Sequence, residues 1–582
     1  MSLLAKFDLS MAECQSNIRL IRDNTDPPRN PLILWHQELM ENVETHDYVV
    51  VGAGSAGCVI AGRLSAERDV TVAVLEAGGG DGHPLIRMPL GFMQALAQPR
   101  FTWGYESEPE PGLNQRVLPV PRGRLLGGSS SINGMFHIRG HRRDFDDWER
   151  LGCTGWGYRD VLPYFRRSET NWRGEGMYHG GSGPLSVNAI NTKRLIFEPL
   201  KEAARKAGHP WNPDYDGADT MGFARGDVVI DRRGRRHSTA RAYLLPAMSR
   251  PNLTVHSNAR VRRILFEGRR AVGVEWEQEG QVRVVRARRE VVLSGGSYGS
   301  PQLLMVSGVG PGAELQALGI PVVQDLPGVG KNLIEHPLFG LHYRARKPET
   351  FINELRFDRA LVSVLRWAIT GKGPFASQIA TGTILLKTQA ERDRPDIQLL
   401  CSPVQINANI WFPGLSKRPP HGFLVNVCQL YAKSRGAVTL RSPDAAAKPR
   451  IQFNLFTHPD DMANLIQGIR RAREVFAISP QADYIDREYQ PGDSYQTDEQ
   501  LAEAIRASCG ITHHPVGTCA MGTGAMAVVD PQLRVRGVDG LRVADASIMP
   551  SIVGGNTNSA AIMIGEKAAD LLLGRRLPSA DV

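Results

Sequence analysis

The chain has 582 residues, more than one hydrophobic core usually serves, so at least two structural domains are expected. Hydrophobic residues make up 42% and charged residues 22%, the balance of an ordinary folded enzyme, which excludes a fibrous or wholly disordered chain. The net charge of +9 is spread over arginine pairs such as Arg235-Arg236 and Arg262-Arg263, with no long basic tract and no nucleic-acid motif, so no nucleic-acid partner is expected.

Diffuse positive charge suits an anionic substrate, a phosphorylated cofactor or an acidic membrane surface. Cysteines 14, 58, 153, 401, 428, 509 and 519 are odd in number and show no paired metal-ligand spacing, so neither a disulfide framework nor a metal site is expected. No secretory leader and no apolar run of spanning length is visible. A cytoplasmic location follows as the expectation, with peripheral contact to the inner face of a membrane left open.

Along the chain, residues 1–45 mix charges with Pro27, Pro28 and Pro31 and read as an N-terminal arm. Met40 suggests a natural start beyond residue 39. From Asp47 a short β-branched run yields to Gly52-Ala53-Gly54-Ser55-Ala56-Gly57 and then to a helical pattern through Ala61 and Leu64. A second apolar strand, Val70 to Leu75, closes on Glu76. This strand–turn–helix–strand unit predicts a parallel, helix-covered sheet. Another apolar strand is expected at Glu290–Leu293. Between about 340 and 500, longer alternating runs such as Gly422–Gln429 and Ala437–Leu440, mixed with a helix over 458–476, predict a largely antiparallel sheet.

The glycines at 52, 54 and 57 stand where a turn is tight, where backbone must approach a pyrophosphate and where helix meets strand. Glu76, at the end of the next strand, is placed to accept from ribose hydroxyls, with Ala77 beside it. NAD and FAD present the same adenosine diphosphate to such a unit, so it does not separate them.

Further segments do. Gly123-Arg124-Leu125-Leu126-Gly127-Gly128-Ser129-Ser130-Ser131-Ile132-Asn133-Gly134, the run Gly296 to Gly310, the segment Leu326–Pro337, His513-His514-Pro515-Val516-Gly517-Thr518-Cys519, and Asp545 to Pro550 with Gly555-Asn556-Thr557-Asn558 together resemble the glucose-methanol-choline (GMC) oxidoreductase family. The resemblance runs from about residue 46 to the end. Ser434–Leu440 and Gly554–Lys567 resemble its choline-dehydrogenase-like branch.

The resemblance implies an α/β fold: a Rossmann-like FAD-binding domain with an interleaved α+β substrate domain on a largely antiparallel sheet. It divides the chain into an FAD-binding domain at 46–340 with substrate-domain insertions around 155–250, a substrate-binding domain at 341–505, and a C-terminal return at 506–582 carrying catalytic residues. It implies FAD as cofactor, contacted by Gly52, Gly54, Ser55, Ala56, Gly57, Glu76, Ala77, Arg124, Gly127, Gly128, Ser131, Asn133, Gly134, Met135, Val261, Asp545, Ala546, Asn556 and Thr557. Some members bind flavin covalently through a histidine where this chain has Ile132, so non-covalent FAD is expected.

The implied reaction is oxidation of a small alcohol to an aldehyde or ketone, with oxygen or a quinone- or dye-type carrier as electron acceptor. His514, immediately before Pro-Val-Gly-Thr, is the expected base. Asn558 is the expected second catalytic residue, with Asn556 nearer the flavin. An alcohol is too weak an acid to ionise unaided, and hydride leaves its carbon only as the oxygen gains negative charge, so an imidazole and an amide donor are the residue types needed. His513 reads as structural, and His137, His237, His336 and His421 have no comparable claim.

A quaternary ammonium substrate would require an aromatic cage or a carboxylate. Trp411 and Phe412 read first as core or lid aromatics. The alternative function is an FAD-containing lyase or light-driven decarboxylase on the same fold, and beyond it a flavin-binding protein without turnover.

Overall fold

The computed structural model describes residues 43–405 and 408–582. The proposed arm and the start at Met40 lie almost wholly outside the described residues, as does Cys14. The remaining cysteines are buried and unbridged.

The expected nucleotide unit forms. Its first strand, β1 (Glu44–Val51), is buried over its last five residues, and the helix α1 (Ser55–Leu64) and the strand β2 (Val72–Glu76) follow. β1 and β2 pair in parallel from Tyr48↔Val72 to Val51↔Leu75, and β2 pairs in parallel with Leu253–Ser257. The seven-stranded sheet containing them is not purely parallel, however. Arg260–Glu267, Arg270–Gln278 and Gln281–Leu293 form an antiparallel meander on it. Their connections are two residues long, and Glu279 and Gly280 both have positive φ (52° and 78°), the geometry of a tight hairpin that only antiparallel strands can use. The strand expected at Glu290–Leu293 is the buried end of the 13-residue strand Gln281–Leu293.

The antiparallel expectation for the later region holds. The strands β3 (Pro337–Ala345), β4 (Gly382–Leu386), β5 (Ile397–Ser402) and β6 (Gly422–Gln429) lie in the order β3-β6-β5-β4, each neighbour antiparallel. They are the centre of an eight-stranded sheet. Gly222–Ala224 and Trp211–Asn212 extend it beyond β4, so part of the 155–250 stretch belongs to this sheet. The helix α2 (Phe357–Thr370) lies in the chain between β3 and β4, and the helix α3 (Pro459–Phe476) follows β6.

Side chains alternate across the sheet with period two. Phe339 and Leu341, Ile397 and Leu399, and Val425 and Val427 point into a core completed by Leu465, Ile469 and Val475 of α3. Leu338, Gln398, Leu400, Ser402, Leu424 and Asn426 point the other way, into a cavity.

The last helix, α4 (Asn558–Leu572), returns to the start of the chain and packs on α1. A Cβ at Gly565 would lie 2.9 Å from the Ala56 carbonyl oxygen, so only glycine allows the two helices this approach. Next to it Glu566, fully buried, accepts from Arg63, from Arg167 and from the Tyr243 hydroxyl. Glu566 is fully buried while the Arg63 and Arg167 side chains are 30% and 25% exposed, so it is the carboxylate whose charge depends on this pairing, and the pairing ties the C-terminal helix to the nucleotide unit.

Candidate active site

Two glycine-bearing loops build one wall of the cavity. Gly57 lies so close beneath the first turn that a Cβ there would fall 1.9 Å from the Gly52 carbonyl oxygen. Gly128, at φ +51°, meets Gly54 so closely that a Cβ would lie 2.8 Å from its Cα, and Gly127 donates its N–H to the Ala53 carbonyl at 2.7 Å. The loop at 123–134 is thus held against the N-terminus of α1 by backbone contact.

The cavity has a volume of about 930 Å³. Of the cofactor residues expected from the sequence, Gly52, Gly54, Ser55, Ala56, Glu76, Ala77, Gly128, Asn133, Gly134, Met135, Val261, Asp545, Ala546, Asn556 and Thr557 line it. Gly57, Arg124, Gly127 and Ser131 do not. Gly57 and Gly127 shape the backbone, and the Ser131 hydroxyl is spent on the Leu126 carbonyl at 2.8 Å. Arg124 stands behind the wall near the Trp103 ring, and its buried Nε has no protein hydrogen-bond partner. Ile132 lines the cavity and offers no nucleophile.

This wall fits a dinucleotide. Gly54 caps α1 without a side-chain hydrogen bond, so the first-turn N–H groups present partial positive charge to the cavity. Glu76 accepts from the N–H groups of Ala53 and Gly78, both at 2.9 Å. Burial pushes its pKa up to about 7 against those bonds and the charge of Arg124. Its carboxylate lines the same cavity, where ribose hydroxyls are natural donors.

The second half of the site comes from two distant segments that pair with each other. Ile334 bridges Val516, and Pro337 and Leu338 of β3 pair with Ile511 and Gly510. Between them sits His514. Its ring is half-buried in the cavity wall, and its position is set from three sides. Nδ1 lies 2.8 Å from the Thr512 hydroxyl and 3.1 Å from Nδ1 of His336, and Nε2 lies 3.1 Å from Nδ2 of Asn556. Thr512 in turn lies 3.1 Å from Oε1 of Glu335, which also accepts the backbone N–H groups of His336 at 2.9 Å and His514 at 2.7 Å. If Thr512 donates to Glu335 it accepts from His514, which assigns the ring proton to Nδ1 and the lone pair to Nε2, where the amide of Asn556 donates.

The electrostatics favour a neutral imidazole. Burial, and then His336, His513 and Arg122, hold the His514 pKa well below the usual histidine value. Burial also lowers His336 and His513, each to about 4, and raises Glu335 to about 7. His513 keeps a positive φ of 64°, and its carbonyl accepts from Arg122 at 2.7 Å.

The two asparagines stand differently from the sequence expectation. Asn556, expected nearer the flavin, is the one that meets His514. Asn558, expected as the second catalytic residue, is the first residue of α4 and accepts from the Ser55 hydroxyl at 2.7 Å. Both line the cavity, two residues apart, but the turn entering α4 aims them at different neighbours.

Sequence reasoning passed over Glu335, His336 and Thr512. The first two end the Leu326–Pro337 segment already singled out, and Thr512 lies two residues before His514; these were the available signals. Among the described residues no group of three histidine, cysteine or acidic side chains could hold a metal ion.

The buried His336 makes stability pH-dependent. Its folded pKa of about 4 lies below its ordinary 6.5, so folding favours the neutral ring; that stabilisation is full above pH 6.5 and is lost as pH falls toward 4. We predict that His336→Gln loses less thermal stability than the parent protein between pH 6.5 and about 4. Equal acid slopes in thermal melts would contradict the assignment.

Comparison with known proteins accords with this geometry. The GMC oxidoreductase N-terminal family profile matches residues 46–338 and the C-terminal one residues 432–565. The chain is 44% identical over 533 residues to an oxygen-dependent choline dehydrogenase of Rhizobium etli (strain CIAT 652), covering 91% of this chain and 96% of that one. It is equally 44% identical, over 532 residues and the same shares, to one of Sinorhizobium fredii (strain NBRC 101917 / NGR234). Among solved structures it is similar to pyridoxine 4-oxidase from Mesorbium loti, at TM-score 0.80 and 29% identity over 91% of this chain and 98% of that one. It is also similar to Aspergillus oryzae RIB40 formate oxidase, at TM-score 0.85 and 28% identity over the same shares. With two family profiles spanning most of its length and a cavity wall built from the very segments that suggested the resemblance, this chain belongs to the GMC oxidoreductase family.

Proposed function

We propose that His514 is the base that takes the hydroxyl proton of an alcohol, and that Asn556 steadies the oxygen left behind. The reaction is the FAD-dependent oxidation of an alcohol to an aldehyde or ketone. The observation that carries the residue assignment is the 3.1 Å approach of Asn556 Nδ2 to His514 Nε2 in the wall of the dinucleotide cavity.

The 52–56 loop, Glu76 and the 128–135 segment would hold FAD, which when bound would supply the hydride-accepting ring. The protein's own part is proton handling. A neutral imidazole has a lone pair to offer, and the withdrawal of His514 from water, with the Arg122 charge nearby, keeps it neutral. The arriving hydroxyl takes the place of the Asn556 amide on Nε2. The displaced N–H then donates to the oxygen as negative charge grows there. Thr512 and Glu335 hold the ring in the tautomer this needs. Asn558, bonded to Ser55, orders the loop that receives the dinucleotide. Residues 46–340 with 506–582 form the cofactor half on this reading, and 341–505 with the 155–250 insertions the substrate half. A base aimed at the cavity beside an amide donor is what alcohol oxidation requires, and no feature of the site favours a lyase or decarboxylase.

A patch beside the cavity supports peripheral membrane contact. α2 turns Leu361, Val362, Leu365 and Ile369 outward, the last 82% exposed, and Leu415 is 87% exposed nearby in sequence to Phe412, which stacks on Phe357. Arg359, Arg366, Lys372, Lys417 and Arg418 are exposed in the same two segments. An apolar stripe flanked by basic residues is the pattern of an interfacial helix on an anionic bilayer. Ile410, both exposed and part of the cavity wall, joins the patch to the site. No described helix is long and apolar enough to cross a membrane. The relatives named oxygen-dependent support oxygen as acceptor; the patch supports a membrane quinone.

Two experiments follow. His514→Ala should keep yellow, non-covalent FAD, all of it released on denaturation, yet slow anaerobic flavin reduction by about 10²–10⁴-fold. Asn556→Ala should slow it by about 10²–10³-fold, whereas Asn558→Ala should weaken FAD retention instead. Near-normal reduction in His514→Ala would remove it from the base role. In co-sedimentation, the enzyme should bind vesicles containing phosphatidylglycerol, and the double variant Ile369→Glu/Leu415→Glu should lose that binding. Equal binding by the variant would dismiss the patch.

A further inference from the structure

On the reading that this site oxidises alcohols, the chamber next to His514 and Asn556 decides which alcohols enter. Its floor is the cavity-facing side of the antiparallel sheet: Leu338, Gln398, Leu400, Ser402, Leu424 and Asn426. None carries a charge. Phe92, Phe351 and Phe375 line the same cavity and add hydrocarbon faces; its electron-rich rings, Trp103, Tyr105 and Tyr298, pack on one another, with the Arg124 guanidinium over Trp103.

The amides of this region are largely committed to the protein. Gln378 donates to the Gly134 carbonyl at 2.7 Å and accepts from the Ile379 N–H at 2.9 Å. Gln405 donates to the Phe423 carbonyl at 3.2 Å and bonds His342 through its oxygen. Gln398 donates to the Thr383 hydroxyl at 3.3 Å. The chamber therefore offers a substrate mainly apolar surface.

Two carboxylates line the cavity among the described residues, and both are engaged elsewhere. Glu76 closes β2 at the dinucleotide wall. Asp545 accepts from the Gly296 N–H at 2.8 Å, the Ser300 hydroxyl at 2.6 Å and the Ser547 N–H at 2.8 Å. The cations Arg122 and Arg260 line the cavity as well. A quaternary ammonium group cannot hydrogen-bond, so it is held by a carboxylate or by electron-rich aromatic faces, and here the tryptophan and tyrosine rings are paired with one another, the tryptophan already beneath a guanidinium. Burying it here without a counter-charge leaves its desolvation unrepaid.

We infer that the substrate is an alcohol uncharged along its whole length, of alkyl or aryl type, and that the chamber discriminates against choline. This sets the chain apart from the choline dehydrogenases to which it is 44% identical.

Choline and 3,3-dimethylbutan-1-ol share one shape and differ in a positive nitrogen against a neutral carbon. With the FAD-loaded enzyme under anaerobic conditions, neutral alcohols from a set of 3,3-dimethylbutan-1-ol, benzyl alcohol and 1-hexanol should reduce the flavin. The best of them should have a second-order rate constant about 100-fold above that of choline. Asn426→Asp, which places a carboxylate on the chamber floor, should narrow that ratio about tenfold. Choline reducing the flavin as fast as or faster than every neutral alcohol would overturn the inference and leave the oxidation reading intact. A flavin that neither choline nor any neutral alcohol reduces would instead overturn the oxidation reading itself. The comparison in the parent enzyme stands even if the variant fails to fold.

Discussion

The contact between α1 and α4 is the constraint on which the site depends. Glycine at 565 lets the final helix reach the backbone of Ala56, and Glu566 locks it there through Arg63 and Arg167. Because α4 begins at Asn558, this docking delivers the 554–558 turn to the mouth of the dinucleotide loop. The bond from Ser55 to Asn558 is its direct result, and it carries Asn556 up to His514. Residues some five hundred positions apart thus share one wall because two helices can touch.

The chemistry follows from a second constraint, exclusion of water. His336 and Glu335 are buried and His514 is half-buried in the cavity wall, and in each case withdrawal from water is the largest influence on the proton. For the histidines it selects the neutral ring, which has a lone pair to offer. For Glu335 it opposes ionisation, partly offset by three donors from His336, His514 and Thr512. The same exclusion makes the chamber selective. Where no counter-charge accompanies a cation, burial that suits a neutral hydroxyl excludes an ammonium.

Much of this was legible in the sequence because it is local. A β-branched run, three spaced glycines and an acidic residue at the next strand end specify β1, α1, β2 and Glu76 by turn geometry alone, and alternation marked β6 to the residue. What was illegible depends on tertiary placement. Asn556 and Asn558 differ by two residues, and only the turn that starts α4 decides which meets the imidazole. His336 resembles any core histidine until β3 pairs with Gly510–Ile511 and brings it beside His514. Ser131 belonged to a plausible contact loop, yet its hydroxyl turns inward to Leu126. The parallel sheet gained an antiparallel meander because two-residue hairpins leave those strands no other pairing.

The central claim is that one neutral imidazole, paired with the Asn556 amide, stands at the reactive edge of a bound flavin. A crystal structure of the FAD-loaded enzyme tests it most directly. The account predicts the isoalloxazine ring between the 128–135 segment and the His514–Asn556 pair, with Nε2 facing its reactive edge and the adenosine ribose at Glu76. A ring seated away from residue 514, or an imidazole turned so that Nε2 faces the protein, would contradict it.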